Sequence, residues 1–225
     1  MCSRILLRES DEYDSSSDSL ERINNEKKYM EYLDKHIGGV KEAYKRFFVP
    51  MLTNNIECDK ALFNLDELRD AIISAKDAVE HHDSSKYSEA EFEPYRLHWY
   101  PTDEEKMKGQ EFQNEIDERY QNAWKHHYEN NDHHPKHWYD FENNVAGDMS
   151  LGSIIHMICD WMSFNLDSPS GVLKFWLNRS EEERKFISPK TISIVDYILF
   201  NVLFPEEYKK IAKTSENIAV DDTNK

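Results

Sequence analysis

His36, the His82-Asp83 pair, His127, the His133-His134 pair and Asp160 follow one another along the chain. Imidazoles and carboxylates in such a series form the mixed nitrogen and oxygen donor set that divalent ions favour. The sequence holds 10 histidines, and adjacent pairs recur at His81-His82, His126-His127 and His133-His134. No single element can gather residues spread from 36 to 160, so any shared site must be assembled from several elements.

Those elements read as helices. Tyr29, Leu33, His36, Val40, Tyr44 and Phe47 fall on one face of a helix that ends near Pro50, and Leu68, Ile72, Ala75, Val79 and His82 step by four, three, four and three. A third stripe carries Phe112, Ile116, Tyr120, Trp124 and His127. A fourth helix runs from about Ser150 to Phe164, with Ser153, His156 or Met157, and Asp160 on one face. Segments 189–203 and 206–213 read as packing helices, and Pro101, Pro135 and Pro169 fall in loops. Alternating apolar residues do not persist anywhere, so strands are not expected. His36, His82 and His127 each continue a line of core residues. A single such histidine is ordinarily a hydrogen-bonded core residue, but three helices burying imidazoles together must find partners for all the ring nitrogens. A shared metal supplies one partner to each, with Asp83 and Asp160 adding carboxylates.

Composition bounds the alternatives. The length of 225 residues fits one domain, placed at 25–214, between an acidic, serine-rich N-terminal segment (1–24) expected to be disordered and a flexible tail (215–225). A formal charge of −16 argues against binding of bulk nucleic acid, whose phosphates would be repelled. Cys2, Cys58 and Cys159 are widely spaced and form neither a disulfide framework nor a thiolate zinc site, which points to a reducing, cytoplasmic setting. No apolar run reaches membrane-spanning length. No glycine-rich nucleotide loop occurs, and the oligomeric state is left open.

The stretch His82-Asp83-Ser84-Ser85-Lys86 resembles the H-D-x-x-K motif of the HD-domain phosphohydrolases, in which an early His, the His-Asp pair and a late Asp hold a metal. The order His36, His82-Asp83, Asp160 is similar to theirs. Residues 81–95, 123–138 and 157–161 together resemble an uncharacterised HD-like family of bacteria and phages, through His82, Asp83, Ser85, Lys86, Tyr87, Ser88, Glu91, Phe92, Tyr95, His127, Asn131, His133, His134, Trp138, Cys159 and Asp160. The resemblance covers about residues 30–165. It implies an all-α, HD-domain-like helical bundle with a metal site at its centre. The extra histidines are similar to those of the two-metal branch: His36, His82, Asp83 and Asp160 would hold one ion, and Asp83 would bridge to a second held by His127, His133 and His134. The ions would be drawn from Mn, Fe, Zn, Mg, Co or Ni. His127 and His134 lie closer in sequence than in the cyclic-dinucleotide phosphodiesterases, so that substrate class is not implied.

The expected activity is hydrolysis of a small nucleotide or related phosphate ester by a metal-activated water, with Asp83 and Lys86 catalytic. Lys86, Glu91, Tyr95 and His126 are the candidate substrate-binding residues. The proton for a leaving oxygen could come from His126, His81 or His137. His156 is expected to hydrogen-bond, Asn131 to fix the turn between the histidine pairs, and Trp99, Trp124, Trp138 and Trp161 to belong to the core. Two other readings stand beside this one: an HD-like di-iron oxygenase, and a non-enzymatic metal-containing binding or inhibitor protein.

Overall fold

In the first helix, α1 (Ser17–Ala43), the buried positions Tyr29, Leu33, His36, Val40 and Ala43 follow the expected 3.6-residue stripe. The computed structural model describes residues 17–222. α1 begins inside the N-terminal segment expected to be disordered, so residues 17–24 are its opening turns; residues 1–16 lie outside the described residues. The chain then passes through a π-helical turn (Tyr44–Phe48) and a 3-10 turn (Val49–Leu52). The wider π turn rotates the chain beyond it, and Phe48, not the anticipated Phe47, is the fully buried ring.

The other helices start where their sequences supply caps. In α2 (Leu65–Glu80), Asn64 and Glu67 form a capping box, as Thr102 and Glu105 do for the short α4 (Asp103–Met107). α3 spans Phe92–Trp99 and α5 spans Gln110–Asn130. Ser150 caps α6 (Leu151–Ser163), Pro169 opens α7 (Pro169–Leu177), Ser180 and Glu183 box α8 (Glu181–Arg184), and Ser188 caps α9 (Pro189–Tyr197). α9 runs on through a second π turn to Leu203, and α10 spans Pro205–Asp222. The tail expected from 215 therefore continues α10 as far as 222, and residues 223–225 lie outside the described residues. The strand pairing among the described residues is one two-residue antiparallel ladder, Tyr139–Asp140 with Val145–Ala146, where no strand is expected. The described chain is thus mainly helical, as its periodicity predicts.

α6 is the hub. Its Ile154, Ile155, Met157, Ile158, Cys159 and Met162 are all buried, and it packs mainly on α1 and α2. Around it the larger core gathers Val40, Phe48, Leu68, Ile72, Leu173, Trp176, Val195 and Leu199. A second, smaller core of Tyr29, Leu33, Tyr95 and Ala123 joins α1, α3 and α5. Along α1 the change from one core to the other falls between Leu33 and Val40, and His36 stands in that gap. α3 is fixed from behind by Arg96, fully buried, whose guanidinium donates to Glu93, Glu105 and the Tyr100 carbonyl. This ties α3 to α4 through charge-assisted, bidentate pairing.

Candidate metal centre

α2 ends at Glu80, so His82 and Asp83 lie on the turn just beyond it and not on the helix itself. Asp83 has φ 53° and ψ 22°, left-handed backbone. That region costs most non-glycine residues about 1–2 kcal/mol, though Asp enters it more readily than most. On a continuous helix, adjacent side chains diverge by about 100°. Here the reversal at Asp83 lets both His82 and Asp83 point inward, at 1 and 2 % exposure.

Two sets of donor atoms meet on the Asp83 carboxylate. On one side His36 Nε2 lies 3.0 Å from His82 Nε2, 3.2 Å from Asp160 Oδ1 and 3.7 Å from Asp83 Oδ2. His82 Nε2 is in turn 3.4 Å from Asp83 Oδ2 and 3.7 Å from Asp160 Oδ1. On the other side Asp83 Oδ1 is 3.3 Å from His127 Nε2 and 3.5 Å from His133 Nε2, and His134 completes this group within 4.8 Å. Atoms that share one ion at about 2.1 Å stand about 3.0–3.5 Å apart; most of the separations fall in that range, two are 3.7 Å, and His134 lies within 4.8 Å. Each set can therefore hold a metal ion.

Hydrogen bonds behind the rings aim the free nitrogens inward. The Ser163 hydroxyl donates to the Asp160 carbonyl and so accepts from His36 Nδ1, 2.9 Å away, leaving Nε2 as a lone pair. Gly39 allows this contact, since a Cβ there would lie 3.0 Å from the Ser163 carbonyl oxygen. His82 Nδ1 pairs with His156 Nε2 at 2.8 Å. Glu91, fully buried, accepts from His127 Nδ1 at 2.8 Å and from His126 Nδ1 at 2.7 Å. Carboxylate, hydroxyl and imidazole partners of this kind fix ligand tautomers in metal sites.

The donor set fits a cation on a further count. Asp83 Oδ1, His127 Nε2, both ring nitrogens of His133 and His134 Nε2 are buried without a hydrogen-bond partner. A proton on His36 would satisfy its own neighbours and leave all of these orphaned, at about 1–3 kcal/mol each. The charge states of His82, His133 and His134 agree. Burial pushes the pKa of His82 down to about 4 and that of His134 to about 3, and drives His133 well below the usual range, so their lone pairs are free at neutral pH. Burial works against ionisation of Asp83, but Lys86, His82 and His127 outweigh it and hold the carboxyl well below its ordinary value. Burial likewise opposes charge on His127, yet Asp83 and Glu91 raise its pKa.

Lys86 Nζ lies 2.7 Å from Asp83 Oδ2, with its side chain mostly covered. It also lines a cavity of 510 Å³ walled by Tyr29, Tyr32, Tyr95, Trp99, Tyr100, Tyr120 and Trp124. Tyr32 stacks beside His36, Tyr95 stands edge-on to His127, and Trp124 lies against His127 and His134. The cavity thus opens beside both donor sets. The hydroxyls of Tyr29 and Tyr95 are buried and unpartnered. Burial together with Asp83 and Glu91 raises both phenol pKa values, so they remain donors.

All seven expected ligands come together. Among the expected substrate contacts, Lys86 and Tyr95 reach the cavity. Glu91 and His126 do not: both Glu91 oxygens are engaged by the two histidines, and His126 faces outward from that pair. His81 and His137 are exposed and hold backbone carbonyls of Asp77 and Tyr128. Asn131 donates to Ser85 Oγ and the His127 carbonyl, bracing the turn as expected. Trp99 and Trp124, expected in the core, form cavity wall instead, and Trp99 is 59 % exposed. Ser163 is a site residue that the sequence pattern does not single out, although it lies one helical turn past Asp160. Apart from Tyr95, the tyrosine wall is equally silent in the sequence, because its members come from three helices and the segment after α3.

The fold and site define a mainly helical protein with buried His/Asp clusters able to bind metal. Residues 25–201 match the model of a family of unknown function, DUF5662, and the chain belongs to that family. No curated protein and no solved structure matches it. Among the described residues, no helix is long and apolar enough to cross a membrane.

Proposed function

We propose that this chain is an HD-like, metal-dependent phosphohydrolase that acts on a small nucleotide or related phosphate ester with two divalent ions. The observation that carries the reading is the division of the Asp83 carboxylate, Oδ2 toward His36 and His82, which also meet Asp160, and Oδ1 toward His127 and His133. When bound there, a pair of divalent ions supplies Lewis acidity for phosphoryl oxygens and lowers the pKa of water.

The chain's own groups supply the rest. Lys86, kept cationic by Asp83 against its burial, is placed to neutralise a phosphate oxygen at the edge of the donor sets. The Tyr29 and Tyr95 hydroxyls add neutral donors on the same cavity wall. Aromatic faces at Trp99, Tyr120 and Tyr100 suit a planar ring, which would stack there while its phosphate meets Lys86. The unpaired Cys58 and Cys159 fit action in a reducing compartment.

The test is phosphate release from a panel of nucleotide phosphates by protein loaded with manganese, zinc or iron, beside an Asp83→Ala variant. Release that requires metal and Asp83 supports the reading. Oxygen consumption with iron, and no phosphate release with any metal, would assign the same centre to oxidation.

A further inference from the structure

A second cavity, of 270 Å³, shares Trp124 with the tyrosine-walled one. Trp124 and the donor residue His134 line it, together with Lys136, Arg179, Glu183 and Phe186. Its cations are unusual for a chain of net charge −16. Lys136 Nζ sits over the rings of Trp124, Tyr128 and Phe186, at 5.9, 5.6 and 4.9 Å. Arg179 lies over Trp161 and Phe175, at 4.8 and 5.0 Å.

Neither cation is ion-paired with a carboxylate among the described residues, and the Arg179 Nε–H is buried without a partner. The one acidic side chain in the lining, Glu183, turns an oxygen to the Ser180 backbone N–H and hydroxyl. A guanidinium normally directs its donors at carboxylate or phosphate, and aromatic faces pre-position it without using those donors. Burial and Lys185 lower the Lys136 pKa. Burial lowers the Arg179 pKa, while Glu183 and then Asp160 raise it. His134, which lines this cavity, belongs to the donor set on Asp83 Oδ1.

We propose that the Lys136–Arg179 cavity is an anion subsite that holds a second phosphate group of the substrate, so that preferred substrates carry at least two. The inference rests on the hydrolase reading for where the first phosphate sits. Trp124, which lies against His127 and His134, lines both cavities, so the ring-binding cavity and this subsite both border the donor sets. That arrangement gives a planar ring one cavity, a phosphate the donor sets and a further phosphate the other cavity. A monophosphate would leave Lys136 and Arg179 without an anion.

The experiment uses inorganic pyrophosphate and orthophosphate as probes, titrated calorimetrically into the full chain with and without manganese. The wild type should bind pyrophosphate roughly tenfold or more tightly than orthophosphate, and Lys136→Gln and Arg179→Gln should each remove most of that preference. Arg179 packs on aromatic rings, so its variant is checked by thermal melting; if it fails to fold, Lys136→Gln alone decides. Pyrophosphate affinity unchanged in a folded Lys136→Gln protein overturns the subsite, as does a wild type with no preference for pyrophosphate. The hydrolase reading fails separately, if no phosphate ester is cleaved while pyrophosphate binding still depends on Lys136.

Discussion

Replacing Glu91 with Gln separates the two donor sets. Glu91 accepts from His127 through one oxygen and from His126 through the other, and it touches no residue of the His36/His82/Asp160 set. Gln keeps the shape but offers one acceptor oxygen and one donor group. With the oxygen turned to His127, the side chain of His126, already 41 % exposed, can turn to water, and the backbone need not move. The negative charge that makes His127 a better donor is lost. Partners of this kind change metal affinity about 10–100-fold, or about 1.4–2.7 kcal/mol. Manganese titration of chelator-stripped protein should therefore show one step weakened by that factor and the other unchanged. Ser163→Ala, which removes the acceptor for His36 Nδ1, should weaken the opposite step. Two unaltered steps in Glu91→Gln would refute the reasoning, and equal weakening of both steps with a large fall in Tm would reduce Glu91 to a packing residue.

The same geometry sets other outcomes. Lys86→Gln should lower kcat about 10²-fold or more with metal content unchanged, as expected for a group that stabilises charge on a reacting phosphate; an unchanged kcat removes Lys86 from catalysis. Trp99→Ala should raise KM about tenfold with little effect on kcat or Tm, since the ring is exposed on the cavity wall and stacking is worth about 1–3 kcal/mol per ring. Burial opposes ionisation of Glu105, but hydrogen bonds from Arg96 and the Thr102 N–H outweigh it and lower its pKa beneath the ordinary 4.5. Its contribution to stability is therefore complete above pH 4.5 and is lost as pH falls through the lowered folded value. Glu105→Gln should cost about 3 kcal/mol at about pH 7 in urea denaturation, and should flatten the stability curve below pH 4.5.

Much of this centre is legible in the order of residues. The stripes through His36 and His127 fall on true helices, because a buried face repeating every 3.6 residues is visible without knowing its partner. Periodicity makes His82 the last residue of its stripe, yet it lies beyond the helix end. Its burial comes from the left-handed turn at Asp83, a backbone state that no periodicity encodes. Most of the tyrosine wall is hidden for a different reason: Tyr29 looks like an ordinary core position until its hydroxyl is found without a partner, and only Tyr95 is a candidate from the sequence. The roles of Trp99 and Trp124 depend on which side of α3 and α5 is left uncovered, which is a property of packing. Glu91 can be paired with Tyr95 on one face, but only the approach of α5 shows that it serves His127 and His126.

The bridging role of Asp83 is tested most directly by counting metal in the purified protein. After loading with manganese or zinc and removal of excess, elemental analysis should find two ions per wild-type chain. A folded Asp83→Ala variant should retain at most one. An absence of bound metal with every divalent ion tried, and no rise in Tm on adding them, would contradict the account.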